Sequence, residues 1–546
     1  MIKSIIFIVI YGSYHLIAFS QIPQISWENS YGGSNSDDLY SIDTTNDGGF
    51  IAAGLAYSED GDVTQSHGNG DFWILKLDMQ GKLIWQKSLG GSGYESAFSV
   101  HKTSDQGYII AGTSDSNDGD VTDNHNSLDF WIVKIDSFGN IQWQRSLGGS
   151  GVDEAFSIQQ TYDGGYITTG YSNSVDGDVT GNHGDYDYWV VKLNPAGFME
   201  WEKSFGGSGT DFPNSIRQTA EGGYIIAGLS TSTDGDVSDH HDDRNAIYNN
   251  DYWVIKLNSD GKIKWEKSLG GSGDDWGRDI IQTPDKGYVV AGYSNSFTGD
   301  VRKNFGGLDY WISKLDSIGN LQWQKSYGGS NDDFANRIIQ AKDGGYIVAG
   351  FSESNDGEVT GNHGSDDYWI IKISERGKLE GQMSLGGSSQ DELSSVVQAN
   401  NGNIVVGGSA ASTDGDVTDN HGYYDYWIVR LEPEELDSQS DNEIAFNNGD
   451  YSTLKETFAF NSSFFSVSPA ITNTSLNIRL QTPNDATSAI IEIINPLGQL
   501  IVSKRIKITD GRLQAPMHLD AGIPKGMYYI RVKVGNQHYV EKFYHS

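Results

Sequence analysis

One unit of 58 residues recurs along most of this chain, and that repetition constrains its fold more than any other property. Trp27, Trp85, Trp143, Trp201, Trp265 and Trp323 each open a block W-x-x-S-x-G-G-S, and Gly381 takes the equivalent place in GQMSLGGS. The steps are 58, 58, 58, 64, 58 and 58 residues. A second series, Trp73, Trp131, Trp189, Trp253, Trp311, Trp369 and Trp427, lies in D-[YF]-W-[IV]. Self-similarity at a fixed spacing marks architectures whose copies bury their apolar faces against one another.

Four β-like segments can be read in each unit. In the third copy they are residues 154–160, 165–171, 187–193 and 199–205, rich in β-branched and aromatic residues and bounded by Gly, Asp, Asn or Ser turns. A lone four-stranded sheet cannot cover aromatic residues on both faces, so the copies must stack, and a closed ring removes the exposed end sheets. The pattern predicts an all-β fold, a seven-bladed β-propeller over residues 25–432. The chain enters at the Trp27 strand and leaves at the Trp427 strand. Closure by the N-terminal strand follows: residues 25–31 should complete the sheet made by 393–398, 403–409 and 425–431.

The succession D-x-x-x-S-I, G-x-Y-V-x-G, D-x-[FW]-V-x-K-L-D and L-G-G-S resembles the bacterial β-propeller repeat family over about residues 25–432. The resemblance implies a fold and no particular activity, because propellers host binding, scaffolding and catalysis alike.

Composition narrows the partners. With 73 acidic against 37 basic side chains the net charge is −36, which repels nucleic acid and anionic membranes and favours cations or neutral ligands. There is no cysteine, so disulfides, Cys-ligated zinc, iron–sulfur clusters and thiol nucleophiles are excluded. Residues 1–20 read as a cleavable signal peptide: Lys3, an apolar run to Phe19, then Ala18 and Ser20 as small residues before Gln21. That run is too short to span a bilayer, so no transmembrane segment is expected after cleavage.

Beyond residue 432 the pattern stops. Residues 433–463 are polar and acidic and read as a linker, and 464–546 carry six β segments, enough for a small β-sandwich. Val467-Ser468-Pro469, the turn Asn495-Pro496-Leu497-Gly498-Gln499, the run Gly526-Met527-Tyr528-Tyr529-Ile530 and the basic end at Lys542 resemble the C-terminal sorting domain of the type IX (Por) secretion system of Bacteroidetes. Where that family has P-N-P, this chain has Ser468-Pro469-Ala470. The resemblance implies Pro469, Gly498, Gly526, Tyr528 and Lys542 as sorting residues. It also implies the outer-membrane secretion machinery as partner and an extracellular or cell-surface location.

The long loops repeat as well. In the third copy Asp176-Gly177-Asp178 leads to His183 and to Asp187 at the next strand, and an acid opens each first strand: Asp37, Glu95, Asp153, Asp211, Asp275, Asp333 and Asp391. Two readings stay open. Asp176, Asp178 and Asp187 could ligate calcium, whose preference is for carboxylate and carbonyl oxygens, although the spacing is not that of a known calcium loop. Alternatively Asp and Asn side chains bond nearby backbone N–H groups and hold the turns, with His stacking between blades. Identical residues in nearly every copy favour the second.

A particular ligand site is best sought where one copy departs from the rest. The fourth copy has six extra residues in its long loop and reads His240-His241-Asp242-Asp243-Arg244. The fifth carries Trp276 and Arg278 on its first strand, and its long loop holds Phe297, Arg302, Lys303 and Phe305 where others have an acid and His. These residues are expected to share one rim, a platform suited to a glycan or a protein anchor. No G-x-S-x-G, H-E-x-x-H or phosphate loop is present. The sequence therefore predicts an exported binding protein without catalytic residues. The alternatives are an extracellular polysaccharide-acting hydrolase or lyase, which would need a unique acid pair near the channel mouth, or a purely structural surface component.

Overall fold

The computed structural model describes residues 23–241, 250–399 and 401–432, and eight strands between residues 465 and 545. The expected signal peptide at 1–20 and the expected linker at 433–463 lie outside the described residues. The chain divides into two compact units, Met1–Leu436 and Asp437–Ser546. No helix among the described residues is long and apolar enough to cross a membrane.

Among the described residues the first unit holds seven four-stranded antiparallel sheets, of the kind that form propeller blades. The third is representative: Asp153–Gln160, Tyr166–Ser172, Asp187–Leu193 and Met199–Phe205 pair in chain order. Its second and third strands are almost wholly buried, as residues covered on both faces must be. The seventh sheet is assembled from both ends of the repeat region. Gln24–Tyr31 pairs with Asp425–Glu432, which continues to Ile404–Ala410 and Asp391–Gln398. Ser30 stands opposite Trp427 and Glu28 opposite Val429.

Successive sheets meet through one repeated set of contacts. The second residue of each third strand is Phe or Tyr, and its ring meets the Trp of the next sheet: Phe72 with Trp131 at 4.4 Å, Tyr188 with Trp253 at 4.7 Å, Tyr368 with Trp427 at 4.6 Å. Between the seventh sheet and the first, Tyr426 meets Trp73 at 4.6 Å. Where the ring is Tyr, its hydroxyl donates to the backbone carbonyl of that Trp, as in Tyr426 to Trp73 at 2.9 Å. The indole of each Trp donates in turn to a Gln or Glu on the fourth strand; for Trp427 that acceptor is Glu28 of the N-terminal strand, at 2.9 Å.

First strands lie beside first strands, that of the seventh sheet beside that of the first. Each carries a β-bulge at its fourth residue, between Leu39 and Ser41 in the first sheet and between Leu393 and Ser395 in the seventh. The extra residue shifts the alternation, so the fifth residue turns back into the join. There Ser41, Ser99, Ser157 and Ser395 accept hydrogen bonds from backbone N–H groups of Val100, Ile158, Ile216 and Ile42. Each join also encloses one apolar core. Between the seventh and first sheets it holds Leu39, Phe50, Trp73 and Leu75 with Val405, Tyr426 and Ile428.

In the second unit Phe465–Ser468, Ser475–Gln481 and Arg512–His518 form one sheet. Ile471–Thr472, Gln537–His545, Gly526–Val534, Ser488–Ile494 and Leu500–Lys507 form a second. Ile478, Ile491, Ile493, Ile530 and Val532 are fully buried. Glu492 accepts from Arg531 Nε at 2.7 Å; burial alone would raise its pKa, but Arg531 and Lys533 outweigh burial and hold it below the usual carboxyl range.

Phe72 and Phe130 keep the ring contact without the hydroxyl. Tyr426→Phe is therefore expected to cost about 1 kcal/mol in urea unfolding, and Tyr426→Ala about 3–5 kcal/mol. Equal costs for the two would show that the ring is not the main contact.

Candidate functional site

The repeated acids serve the turns. Asp176 Oδ1 accepts the Ser150 N–H at 2.7 Å and Asp178 Oδ2 the Gly148 N–H at 3.4 Å, both across a join. Asp187, fully buried, accepts the His183 N–H at 2.8 Å, and His183 Nδ1 lies 2.7 Å from the same oxygen. The loop histidines are thus tied to the strand-opening aspartate rather than stacked between blades. Among the described residues no group of three or more His, Cys, Asp or Glu is arranged to hold a metal ion.

Each such aspartate faces the acid that opens the next sheet, with a glycine between them. A Cβ on Gly206 would meet Asp187 Oδ1 and Asp211 Oδ2 both at 2.5 Å, so the first Gly of every G-G-S block leaves room for two carboxyl groups. Burial raises the pKa of both acids, that of Asp211 to about 6. Asp37, Asp129, Asp333 and Asp391 are likewise pushed to about 6, and Asp275 and Asp309 to about 7, burial being the main cause each time.

The first strands present a second kind of surface. Their second and fourth residues are half-buried while the first and third are buried, as in Asp275–Gln282, except that the second residue of the second sheet, Ser96, is buried. Unlike the residues in the joins, these vary. The second residues are Asp38, Ser96, Glu154, Phe212, Trp276, Phe334 and Glu392. The aromatic ones extend onto the neighbouring strand: Trp276 stacks on Tyr293 at 5.8 Å and 20°, Tyr293 meets Phe334 at 5.0 Å, and Phe212 meets Tyr171 at 4.5 Å. Opposite in character, Glu154 accepts from the Tyr171 hydroxyl at 2.6 Å, and Asp38 bonds Ser409, which pairs in register with Glu392. Burial, then Asp366 and Asp38, push Glu392 to about 7.

The residues expected to share a rim are divided by the structure. Trp276 is a half-buried member of the first-strand wall, not an exposed rim residue, because it is the second residue of its strand; Arg278 is the bulge residue there and donates to Asn214 Oδ1 at 3.2 Å. Phe297, 70% exposed, and Arg302 stand in the long loop, where Lys303 lies 3.4 Å from the centre of the Phe305 ring. His240 and His241 part company: His240 Nε2 lies 3.1 Å from the Ser230 carbonyl oxygen, and His241 Nδ1 lies 2.9 Å from Asp251. His241 Nε2 also lies 3.9 Å from Asp300 of the fifth sheet, so the two long loops do meet. Asp242, Asp243 and Arg244 lie outside the described residues. Sequence reasoning missed Phe212, Phe334, Asp38 and Glu392, whose shared signal is departure from the repeat at the second position of the first strand, and Tyr293 of the neighbouring strand.

Of the sorting residues, Gly526 opens a strand opposite His545, Tyr528 is 5% exposed, and Lys542 stands opposite Tyr529 in register. Pro469 and Gly498 lie outside the described residues. Residues 467–545 match the family model of the secretion system C-terminal sorting domain. The second unit thus contains a sorting domain, which implies export to the cell surface or the extracellular space. The regulatory protein FlaEY of Caulobacter vibrioides is 23% identical over 342 residues, 56% of this chain and 35% of that protein. Two solved structures are similar at lower identity. PorZ, a surface component of the type-IX secretion system of Porphyromonas gingivalis, is 12% identical with a TM-score of 0.38 over 94% of this chain and 60% of that one. A puromycin hydrolase is 11% identical with a TM-score of 0.42 over 72% and 53%. The chain thus spans only part of each of these proteins, and likenesses this loose carry no activity across.

The buried acids set a pH dependence. Their folded pKa values lie above the unfolded ones, so their contribution is complete below about pH 4 and is lost as pH rises through about 6–7. Asp47 and Asp285 act the other way: bonds from Thr and Lys outweigh burial and lower both to about 2, so their contribution is lost only as pH falls below about 4. Thermal melts are expected to show greatest stability near about pH 5 and a decline toward about pH 8, shallower in Asp309→Asn. A flat or rising profile over that range would contradict the buried acid pairs.

Proposed function

We propose that the first unit is a closed seven-bladed β-propeller, and that the exported protein acts at the cell surface by binding a glycan or a protein rather than by turnover. Closure is supported by the join between the seventh and first sheets, which has the ring pair and the indole bond of the other joins and the serine bridge found at three of them. In such a ring the seven first strands surround a central channel and their half-buried residues line it.

The observation that carries the binding reading is a contrast. The ring, the Trp, the first Gly of G-G-S and the strand-opening acid of the joins hardly change from blade to blade, whereas the lining changes at nearly every blade. Packing accounts for the first. Aromatic faces set against carboxyl and amide groups suit a ligand with an apolar face and several hydroxyls, or a protein side chain of similar character. In this reading Asp176, Asp178 and Asp187 serve their turns and the fold requires no calcium. Export is supported by the sorting domain, with recognition by the type IX machinery following passage through the inner membrane on the signal segment at 1–20.

One observation favours a second reading, hydrolysis of a polysaccharide. Asp38 and Glu392 occur at that lining position in adjoining first strands, and a carboxyl pushed to about 7 suits a general acid.

On a glycan array the wild type is expected to bind and Trp276→Ala to lose at least about 10-fold; equal binding by both would remove this wall as the site. Release of reducing ends by the wild type, abolished in Glu392→Gln, would replace binding by hydrolysis. Truncation of residues 467–545 is expected to leave the protein in the periplasm, and surface delivery of the truncated chain would overturn the sorting role.

A further inference from the structure

Three consecutive blades carry arginines on their first strands where the other blades have none. Arg217 lies on Asp211–Gln218, Arg278 on Asp275–Gln282 and Arg337 on Asp333–Gln340. Arg337 takes the place of the bridging serine seen as Ser41 and Ser395. In the fifth blade that place is held by Asp279, 2% exposed.

Asp279 is the one carboxylate that ion-pairs with this group among the described residues, and it is already in use. Its Oδ1 accepts from the Ser215 hydroxyl at 2.7 Å, from Arg217 Nη2 at 3.1 Å and from the Ile280 N–H at 3.0 Å; its Oδ2 accepts from the Ile338 N–H at 3.2 Å. Arg337 comes only within 3.9 Å of Asp279 and makes no side-chain hydrogen bond among the described residues. The polar partner of Arg278 is the neutral Asn214. Three guanidinium groups against one carboxylate leave a local excess of two positive charges, in a chain whose net charge is −36. Burial lowers the Arg337 pKa, Asp279 opposes that shift, and Arg217 and Arg278 add to it. The side chains of Arg217 and Arg337 are 23% and 18% exposed, so their unused donors are open to a ligand. Beside Arg278 stands the Trp276–Tyr293 stack.

Half-buried cations without an adequate counter-charge are costly, and the guanidinium fork matches the oxygens of a carboxylate or sulfate. The acidic exterior repels polyanions at long range, but that repulsion is screened beyond about 8 Å at physiological salt, so a short anionic ligand can still reach a local basic pocket. We propose that Arg217, Arg278 and Arg337 form a subsite for the anionic substituent of a sugar, its carboxylate or sulfate, with the Trp276–Tyr293 stack beside the sugar ring. The assignment rests on the glycan-binding reading above and names the class of glycan.

The test compares uncharged, uronate-containing and sulfated oligosaccharides of similar length on the wild type, Arg278→Gln and Arg337→Ser. The serine variant restores the residue used at the equivalent position in other blades, so it is expected to fold. The wild type is expected to prefer an acidic sugar by at least about 10-fold, the uronate and sulfate arms showing which substituent is taken, and both variants to lose that preference while retaining uncharged ligands. Equal wild-type affinity for charged and uncharged sugars would overturn the subsite and leave glycan binding intact. Absence of binding to every saccharide would overturn both. As a measurement independent of the array, inorganic sulfate at matched ionic strength should raise the melting temperature of the wild type and not of Arg337→Ser, because binding to the native state stabilises it. An unchanged wild-type melting temperature would contradict the anion site.

Discussion

The contact on which this structure depends is the seating of each Trp of the third-strand series beneath the aromatic ring of the preceding sheet. Trp73, Trp131, Trp189, Trp253, Trp311, Trp369 and Trp427 are all fully buried. A twisted four-stranded sheet with such residues on both faces has no stable existence alone. The ring pair and the bulge are one solution repeated at each join, with a serine bridge at four of them; the exceptions are where Ser215 donates to Asp279 and where Asp279 and Arg337 replace serine. Because Tyr426 and Trp73 make the same contact across a separation of 353 residues, the last sheet meets the first on the terms by which neighbours meet.

That constraint divides the residues into those that are held and those that are free. In the joins, Gly206 can have no side chain because two carboxyl groups flank it. Ser41 and Ser395 are held by their bonds to the next first strand. On the bulged wall nothing comparable restricts the side chain, and Tyr40, Phe98, Asn214, Arg278 and Ser394 all occupy the bulge position. Function can change there without altering the fold. The same burial that packs the joins also shifts acid–base behaviour, so many of the strand-opening carboxyl groups titrate well above the usual acid range.

Much of this was legible in the residues. The Trp series, the four segments per unit and the pairing of the N-terminal strand with Asp425–Glu432 follow from period and from the point where the repeat is cut. The wall was not, because a bulge cannot be seen in a two-residue alternation: by simple period Ser41 should share a face with Leu39 and Asp43, and the extra residue Tyr40 changes which side chains point where. Trp276 was readable as a departure but not as a wall residue for that reason. His183 looked free to stack, whereas its partner Asp187 stands four residues on, a spacing that could have suggested the bond. The short strands Phe465–Ser468 and Ile471–Thr472 carry too few residues to show any period.

The central claim is that the chain closes on itself through its first strand, and the absence of native cysteine allows a direct measurement. Gln24 and Glu432 are register partners at the end of that pairing. Cα atoms so paired lie about 4.5–5.5 Å apart, within disulfide reach. Under mild oxidation the double variant Gln24→Cys with Glu432→Cys should form an intramolecular disulfide in nearly every molecule, seen as a mobility shift that reductant reverses, and should melt higher than its reduced form. Failure to form that bond in soluble, folded protein, or its formation only between molecules, would contradict the account.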